Sequence, residues 1–589
     1  MKKLLYISFL TIILTTLGSC NDFLEHDAYG HPTSANAWVN DADILRIVDG
    51  LRVWQAREGI DGRGFMWFEN CSDNMVTGRA QAEGDQIKNF QMQPTNGRDA
   101  RQNWQWMYAT IAVANDILGQ VDHSKQASEA VKNSAKAQAH FYRGFAYLWL
   151  APWYGDNGAN GGIPIVTEKT PVEELDMARP KSVLENYDLI ISDLRKAGDM
   201  LPYHSQLPEN QWGRPHKAAA WGYAARAALY AAQYDSKYYD IVIEMADKII
   251  NMSGTDKRSL YADYRTFFRE DNNFSPEYIF SVFGTHKEGP KFHGMSFQKD
   301  GYGLYNTWGY FQPTLDLYEA FEEGDTRRDA TILLPGQHIQ FISRDIHYGV
   351  NPSDVQSLSG MTFRKWLHPF QNKGDMGIKF NSDGNNQSTR MGMVLLRYAD
   401  ILLMKAEALI WSRGEGNGEA VSLINQVRTR AGLPANSRAT KAQLMNERRC
   451  EFAFEFQPSR HLDMVRWGVA KNAYAKPLFG LRRKHTVAML DLTAQEISNL
   501  GAGITNATYL SDIEPTKLSA QKRKLFNQIY EANVEKDKGY VDRPGNIIEG
   551  WVKDTIWNAR TFDPTIHHVF PIPQAAINSS TTLKQNSGY

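Results

Sequence analysis

Cysteine is scarce. The 589 residues hold only Cys20, Cys71 and Cys450, too few and too widely spaced for a disulfide framework. A surplus of positive charge is missing too: 65 Lys and Arg face 66 Asp and Glu, without the basic excess of a nucleic-acid binder. Catalytic signatures are absent, with no GxSxG elbow, no HExxH, no Walker A loop and no dinucleotide glycine fingerprint after a strand. The 15 His are scattered, and the pair His567-His568 reads as packed beside a Pro-containing tail, so neither a metal nor a cofactor is expected. Paired carboxylates, which a glycosidase needs at a set separation, carry no information among so many acids. No strict 34-residue repeat is visible.

What is present is an ordinary globular balance, 42% hydrophobic and 22% charged, with 15 Trp and 27 Tyr. The start of the chain is more specific. Lys2-Lys3 is a basic leader, residues 4–17 an apolar core, and Leu17-Gly18-Ser19-Cys20 a cleavage site. Small residues before a Cys suit a lipoprotein signal peptidase, which would leave Cys20 as the lipidated first residue. The plainer alternatives are an ordinary secretory signal with a chance Cys, or an uncleaved anchor. Acyl chains on Cys20 would hold an otherwise soluble body at a membrane, each buried methylene contributing roughly 0.8 kcal/mol. Cys71 and Cys450 then read as buried free thiols.

From residue 35 to about 252 the periodicity is helical. Stretches 41–56 and 101–119 are amphipathic, and 182–200 and 239–251 continue the set. Stretches 135–150 and 215–234 are rich in Ala and aromatics, as in helix pairs that approach closely. Residues 256–393 differ: Gly and aromatics alternate, and short strand candidates such as 278–283 lie between turn signals. A charged helix is expected near 516–534. The predicted fold is mostly α, a tetratricopeptide-like scaffold of helical pairs with irregular, loop-rich and short-strand insertions. Its expected parts are a signal peptide (1–19), a lipidated tether (20–34), an N-terminal helical part (35–255) and a mixed insertion (256–393). A C-terminal helical part of the same scaffold (394–470) and a second insertion with a packing tail (471–589) complete it.

The stretch 395–467 organises the rest. Its first helix is expected at 395–411, apolar on nearly all sides but too short and too interrupted by Arg397, Asp400, Lys405 and Glu407 to cross a bilayer. A second is expected at 419–431 and ends at Gly432 and Pro434; a third at 441–456 stops before Pro458, and a fourth starts at Ser459. The third places Glu447, Glu451 and Glu455 in one row at i, i+4, i+8. Such a row can be catalytic or metal-binding, or it can be half of an Arg–Glu network that pins helices together. Arg428, Arg430, Arg448, Arg449, Arg460 and Arg466 are the candidate partners.

Three blocks stand here in order: RYADILLMKAEAL, INQVRTRAGLP and ERRCEFAFEFQPSRHLDMVRWG. They resemble the C-terminal signature of SusD/RagB-family lipoproteins of Bacteroidetes-type bacteria. Likeness continues in Trp153-Tyr154-Gly155-Asp156, Gly162-Ile163-Pro164, Gly213-Arg214-Pro215 and the ending from His568 to Tyr589, with long variable gaps. The resemblance implies a nutrient-binding lipoprotein anchored in the outer membrane through Cys20 and facing the cell exterior. It further implies a TonB-dependent outer-membrane transporter as partner, with this chain as its lid, and no enzymatic activity. The acidic residues of Asn21-Asp22-Phe23-Leu24-Glu25-His26-Asp27 resemble the surface-export cue of such proteins.

A sugar presents apolar C–H faces and a ring of hydroxyls, so its binder needs aromatic platforms beside polar side chains. Two regions carry that mix. One offers Trp67, Asp73, Arg79, Trp104 and Trp106; the other Tyr302, Tyr305, Trp308 and Tyr310. The resemblance supports both neighbourhoods as contributors to a glycan site. For the tryptophans the plain alternative is core packing, and Asp73 and Arg79 could equally form a loop salt bridge. The expected function is capture of an oligosaccharide or polysaccharide and its delivery to the transporter. A peptide-binding member of the same uptake type is the first alternative and a surface glycosidase the second.

Overall fold

The computed structural model describes residues 37–56, 68–78, 82–95, 98–284, 311–335, 337–340, 345–347, 358–366, 391–483, 485–506, 508, 510–531 and 551–589. The expected helices are present. We label the scaffold helices α1 (Asp41–Gly50), α2 (Arg98–Gln120), α3 (Glu129–Tyr154), α4 (Val183–Met200), α5 (Lys217–Ala231) and α6 (Tyr238–Ile250). After the insertion come α7 (Tyr398–Arg413), α8 (Gly418–Arg430), α9 (Lys441–Phe452) and α10 (Arg460–Arg466). From α2 onward each helix packs on its chain neighbour as far as α8, and α6 meets α7 directly across the insertion. The predicted class, mostly α with few short strands, is the observed one.

Small residues set the close spacing. The α5 run from Ala218 to Ala231 is buried on every side, and Gly222 lies where a Cβ would come 2.5 Å from Leu396 and 3.1 Å from Ile401. Aromatics fill the remaining space: Phe145 stacks on Trp54 at 5.2 Å and meets Tyr223 edge-on at 5.1 Å, while Phe141 meets Phe280 at 5.1 Å. Ser459 caps its helix as expected, and Ser128, Ser182 and Thr440 cap α3, α4 and α9.

Two expectations in the 395–467 stretch are corrected. The helix does not begin at Leu395. Residues Met393–Arg397 form a strand, β4, antiparallel to β2 (Tyr278–Val282), with Tyr278 opposite Arg397 and Val282 opposite Met393. Both faces of β4 are buried, and a continuous apolar run of that kind does not distinguish strand from helix. The ribbon joins the two ends of the 283–392 insertion, which is how so long an insertion can sit between two scaffold helices without parting them. Nor does the third helix reach 456. It ends at Phe452, and Phe454, with φ of 64°, turns the chain out of the helical path.

Glu455 therefore leaves the helix yet still joins Glu447 and Glu451 in a buried network of the Arg–Glu kind. Arg397 holds Glu277 and Glu451 at 2.6 Å and Glu455 at 2.8 Å. Arg327 holds Glu447 at 2.5 Å and Glu451 at 2.9 Å, Lys365 holds Glu455 at 2.6 Å, and Arg428 and Arg430 close the ring from α8. Among the candidate partners, Arg448, Arg449, Arg460 and Arg466 serve other acids: Arg448 pairs with Asp400 and Asp463, Arg466 with Glu407 and Asp463, and the other two with Asp73.

The tail closes on α3, where Asn586 donates to the Tyr154 and Phe570 carbonyls at 3.1 and 2.6 Å. Cys71 and Cys450 are free and buried, as expected. Of the expected 516–534 helix, Ala520–Glu531 is helical. A second apolar core, Val487, Leu490, Leu500, Leu510, Ile513, Leu518 and Phe526, stands apart from the main one. It is carried by a ribbon of β5 (Leu478–Arg483) and β6 (Trp551–Trp557), with Arg483 opposite Trp551.

Candidate glycan-binding site

Strand β1 (Met75–Thr77) pairs antiparallel with β3 (Phe311–Pro313), Met75 facing Pro313 and Thr77 facing Phe311. This one pairing joins the two regions that the sequence singled out. The chain leaves β1 after Thr77 and enters β3 at Phe311, so segments far apart in sequence are tethered at the same end of one ribbon. Thr314 extends the seam, donating its N–H to the Asn74 carbonyl at 3.0 Å and its hydroxyl to the Asp73 carbonyl at 2.8 Å. Six of the nine candidate ligand residues, Trp67, Arg79, Tyr302, Tyr305, Trp308 and Tyr310, lie outside the described residues, as does Cys20.

The three others are placed. Asp73 is buried between two guanidinium groups, Arg460 at 3.1 Å and Arg449 at 3.3 Å. Burial pushes its carboxyl up, and the two cations more than offset this, holding it well below the usual carboxylate range. Its pairing partners are therefore on α9 and α10. Trp104 is buried in the second turn of α2, 4.9 Å from Tyr108 and edge-on to Tyr154 at 5.1 Å. Trp106, two residues on, is half-buried and packs against the same core. The structure thus gives Asp73 and Trp104 neighbours of their own, and brings neither to the other.

Sequence reasoning missed the floor beneath the ribbon. Arg449 Nε donates to Asn74 Oδ1 at 2.8 Å, and Glu69 accepts from Ser459 Oγ at 2.8 Å and from the Arg460 N–H at 3.0 Å. Burial raises the Glu69 carboxyl to about 8. Lys88, also buried and pushed well down by burial, donates to the Ser72 and Met75 carbonyls at 2.7 and 2.5 Å. A small polar cleft opens between Asn74, Arg448, Arg449, Pro458 and Arg460. The only available signal was the arginine-rich block 448–466, and nothing local in it tells which arginines turn toward residue 73. The arrangement is a buried polar base beneath a ribbon whose second strand is entered from the aromatic-rich stretch 302–310 and whose first strand leads on to Arg79. Among the described residues no group of three or more His, Cys, Asp or Glu gathers as metal ligands. His567 stacks on Phe90 at 5.5 Å and His568 meets Asp156 at 2.9 Å.

The family model described as "SusD family" matches residues 271–589, and that described as "Starch-binding associating with outer membrane" matches 22–229. A SusD-like protein of Bacteroides ovatus is 26% identical over 383 residues, which cover 62% of this chain and 65% of that protein. SusD-like protein P2 of Formosa agariphila is 24% identical over 497 residues, covering 77% and 88%. Among solved structures, a SusD-like protein of Bacteroides fragilis superposes with a TM-score of 0.69 at 20% identity, covering 95% of this chain and 99% of that one. A laminarin-binding SusD-like protein gives 0.64 at 20%, covering 94% and 100%. These likenesses extend over the helical scaffold and both insertions, and the matched segments include both strands of the β1–β3 ribbon. The chain belongs to the SusD family.

Proposed function

We propose that this protein is a surface-exposed lipoprotein that binds an oligosaccharide or polysaccharide and passes it to a TonB-dependent outer-membrane transporter, over which it sits as a lid. The observation that carries the reading is the pair of family matches, one described as starch-binding and outer-membrane associated, spanning both parts of the chain that meet at the β1–β3 ribbon. The laminarin-binding neighbour and the surface glycan-binding protein A of Bacteroides uniformis, the latter at a TM-score of 0.61 and 20% identity, support the same ligand class. Anchoring falls to Cys20, on the strength of the Leu17-Gly18-Ser19-Cys20 cleavage site that follows the apolar leader. The protein acts as a binder and not as an enzyme, a reading supported by the glycan-binding proteins among its structural neighbours, while Asp73 itself is taken up by ion pairs with Arg449 and Arg460.

Mechanistically, the buried floor of Asp73, Arg449, Arg460 and Asn74 holds the base of the ribbon, and Trp67 together with the aromatic side chains of 302–310 supplies the stacking faces. Binding of the body from Asn21 onward to a panel of polysaccharides, repeated with Trp67→Ala and Trp308→Ala, tests this. Binding to at least one glycan that falls in either variant, with circular dichroism unchanged, is the expected result. No binding to any glycan, with binding to immobilised peptides instead, overturns it.

A further inference from the structure

A second cleft lies at the other ribbon, where Val282 of β2 faces Met393 of β4 and the chain runs on into Phe283. Its walls are Trp212, His204, Phe274 and Phe283, and Ser281 lies in its lining. It encloses about 260 Å³ out to its mouth, with only about 10 Å³ open to the centre of a water molecule in its depth. Trp212 is half-buried, and its indole N–H is already donated to the Leu207 carbonyl at 3.2 Å, so what it offers is a ring face. Phe274 stands edge-on to Trp212 at 5.4 Å and lies 4.0 Å from Phe283.

Two features set this cleft apart from ordinary aromatic packing. The first is Ser281, 3% exposed, whose hydroxyl has no hydrogen-bond partner among the described residues. A buried hydroxyl left unpaired is costly, and native structures pair nearly all of them. The second is Phe274, held at φ of 65°, a region that bulky residues avoid and occupy only where the surroundings enforce it. The enforcement is visible: Phe283 is pinned from behind by Gly392, where a Cβ would come 2.6 Å from its ring, and Phe274 is laid upon it. The lining carries no formal charge. His204 is pushed down to about 4 by burial and by nearby Arg258, so its imidazole is neutral near pH 7.

We propose that this cleft is a subsite for one neutral pyranose unit, its apolar face on Trp212 and Phe274 and one hydroxyl reaching inward to Ser281 Oγ. The uncharged lining disfavours an ion, the flat half-exposed rings suit C–H faces, and Ser281 Oγ is the polar group left to meet a sugar hydroxyl. The assignment rests on the glycan-binding reading and places a second contact point on the scaffold side of the insertion, separate from the β1–β3 ribbon.

Saturation-transfer NMR on the full chain, with methyl glucopyranoside, methyl galactopyranoside and methyl mannopyranoside as probes, tests it. Saturation of the ring protons of at least one probe is expected, with affinity about 5-fold weaker or less in Trp212→Ala and in Ser281→Ala. Trp212→Phe, which keeps a ring face, should retain most of the signal. In the Trp67→Ala/Trp308→Ala background, which removes the stacking faces of the other site, the signal that remains should still fall with Trp212→Ala and with Ser281→Ala. Because the Ser281 hydroxyl has no partner among the described residues, Ser281→Ala should leave thermal stability equal or higher while binding falls. No transfer with any probe, or equal transfer in wild type and both cleft variants, means that the cleft holds only water and overturns the subsite. The polysaccharide panel then still judges the proposed function on its own.

Discussion

At the scale of single residues, the floor of the candidate site is a set of buried charges whose balance depends on pH. Glu69 has its carboxyl raised to about 8 by burial, against about 4.3 for an unperturbed Glu. The folded state therefore keeps a proton that the unfolded chain gives up between these values, so Glu69 favours folding at low pH and this contribution is lost as pH rises toward 8. Glu69→Gln keeps an acceptor for Ser459 or the Arg460 N–H and cannot ionise. The expected outcome is a flatter fall in melting temperature between pH 5 and 8.5 than in wild type, read by differential scanning fluorimetry. Asp73 acts with the opposite sign. Its depressed carboxyl contributes above the usual Asp value of about 3.9 and loses that contribution as pH falls through and below it. Asp73→Ala leaves Arg449 and Arg460 buried without their acid, and a loss of about 3 kcal/mol in chemical denaturation at pH 7 is expected. From the sequence Asp73 was legible as a polar residue among aromatics. Its two arginines could not be assigned, because they stand more than 370 positions away and only the fold brings them in.

At the scale of elements, what could be read locally was read correctly, and what failed was decided by distant contacts. The α3 and α4 helices carry their own periodicity and caps, and α6 its own periodicity. The run 393–413 carries apolar residues without a clear period, so strand β4 and helix α7 merge in the sequence. They separate at Arg397, whose guanidinium is drawn to Glu277, Glu451 and Glu455. Arg397→Met should cost about 3–5 kcal/mol, because it leaves several buried carboxylates short of a cation. Limited proteolysis should then cut within 283–392 sooner than in wild type, since β4 is what closes that insertion. Should cleavage rates stay equal while stability falls, the ribbon would not be the clamp. Gly222 tests the neighbouring contact. Gly222→Val places branched carbon where even a Cβ comes 2.5 Å from Leu396, and a destabilisation of about 1–3 kcal/mol is expected despite the better helix propensity of Val over Gly. The two aromatic-rich segments were legible as a pair of candidate regions, but their meeting was not: the β1–β3 pairing is three residues long on each strand, below what alternation can signal.

At the scale of the molecule, the chain is a continuous helical array with two excursions, each returning through a two-stranded ribbon. The ribbons allow long insertions to vary without disturbing the helices, because Arg397 and Tyr278 close one excursion and Arg483 and Trp551 close the other. The second excursion goes further and builds a core of its own. Within it two cations serve the backbone: Lys522 donates to the Leu490 and Asp491 carbonyls at 2.7 and 2.5 Å, and Arg523 to those of Pro515, Thr516 and Leu518. None of its seven buried apolar residues belongs to the main cluster. A unit of this kind should unfold on its own, with less protection than a scaffold whose buried area is many times larger. Phe526→Ala removes the largest side chain of that small core and should cost it about 3–5 kcal/mol. Hydrogen exchange read by mass spectrometry should then show amides of 485–531 losing protection while those of α2 to α8 keep theirs, and the main calorimetric transition should stay within a degree or two of wild type. An equal loss in the helices would mean that the unit is part of the scaffold's cooperative fold. Retained protection there would instead leave an autonomous module on a ribbon that also packs on Ser359 and Asp316, beside the strand that carries the candidate glycan site.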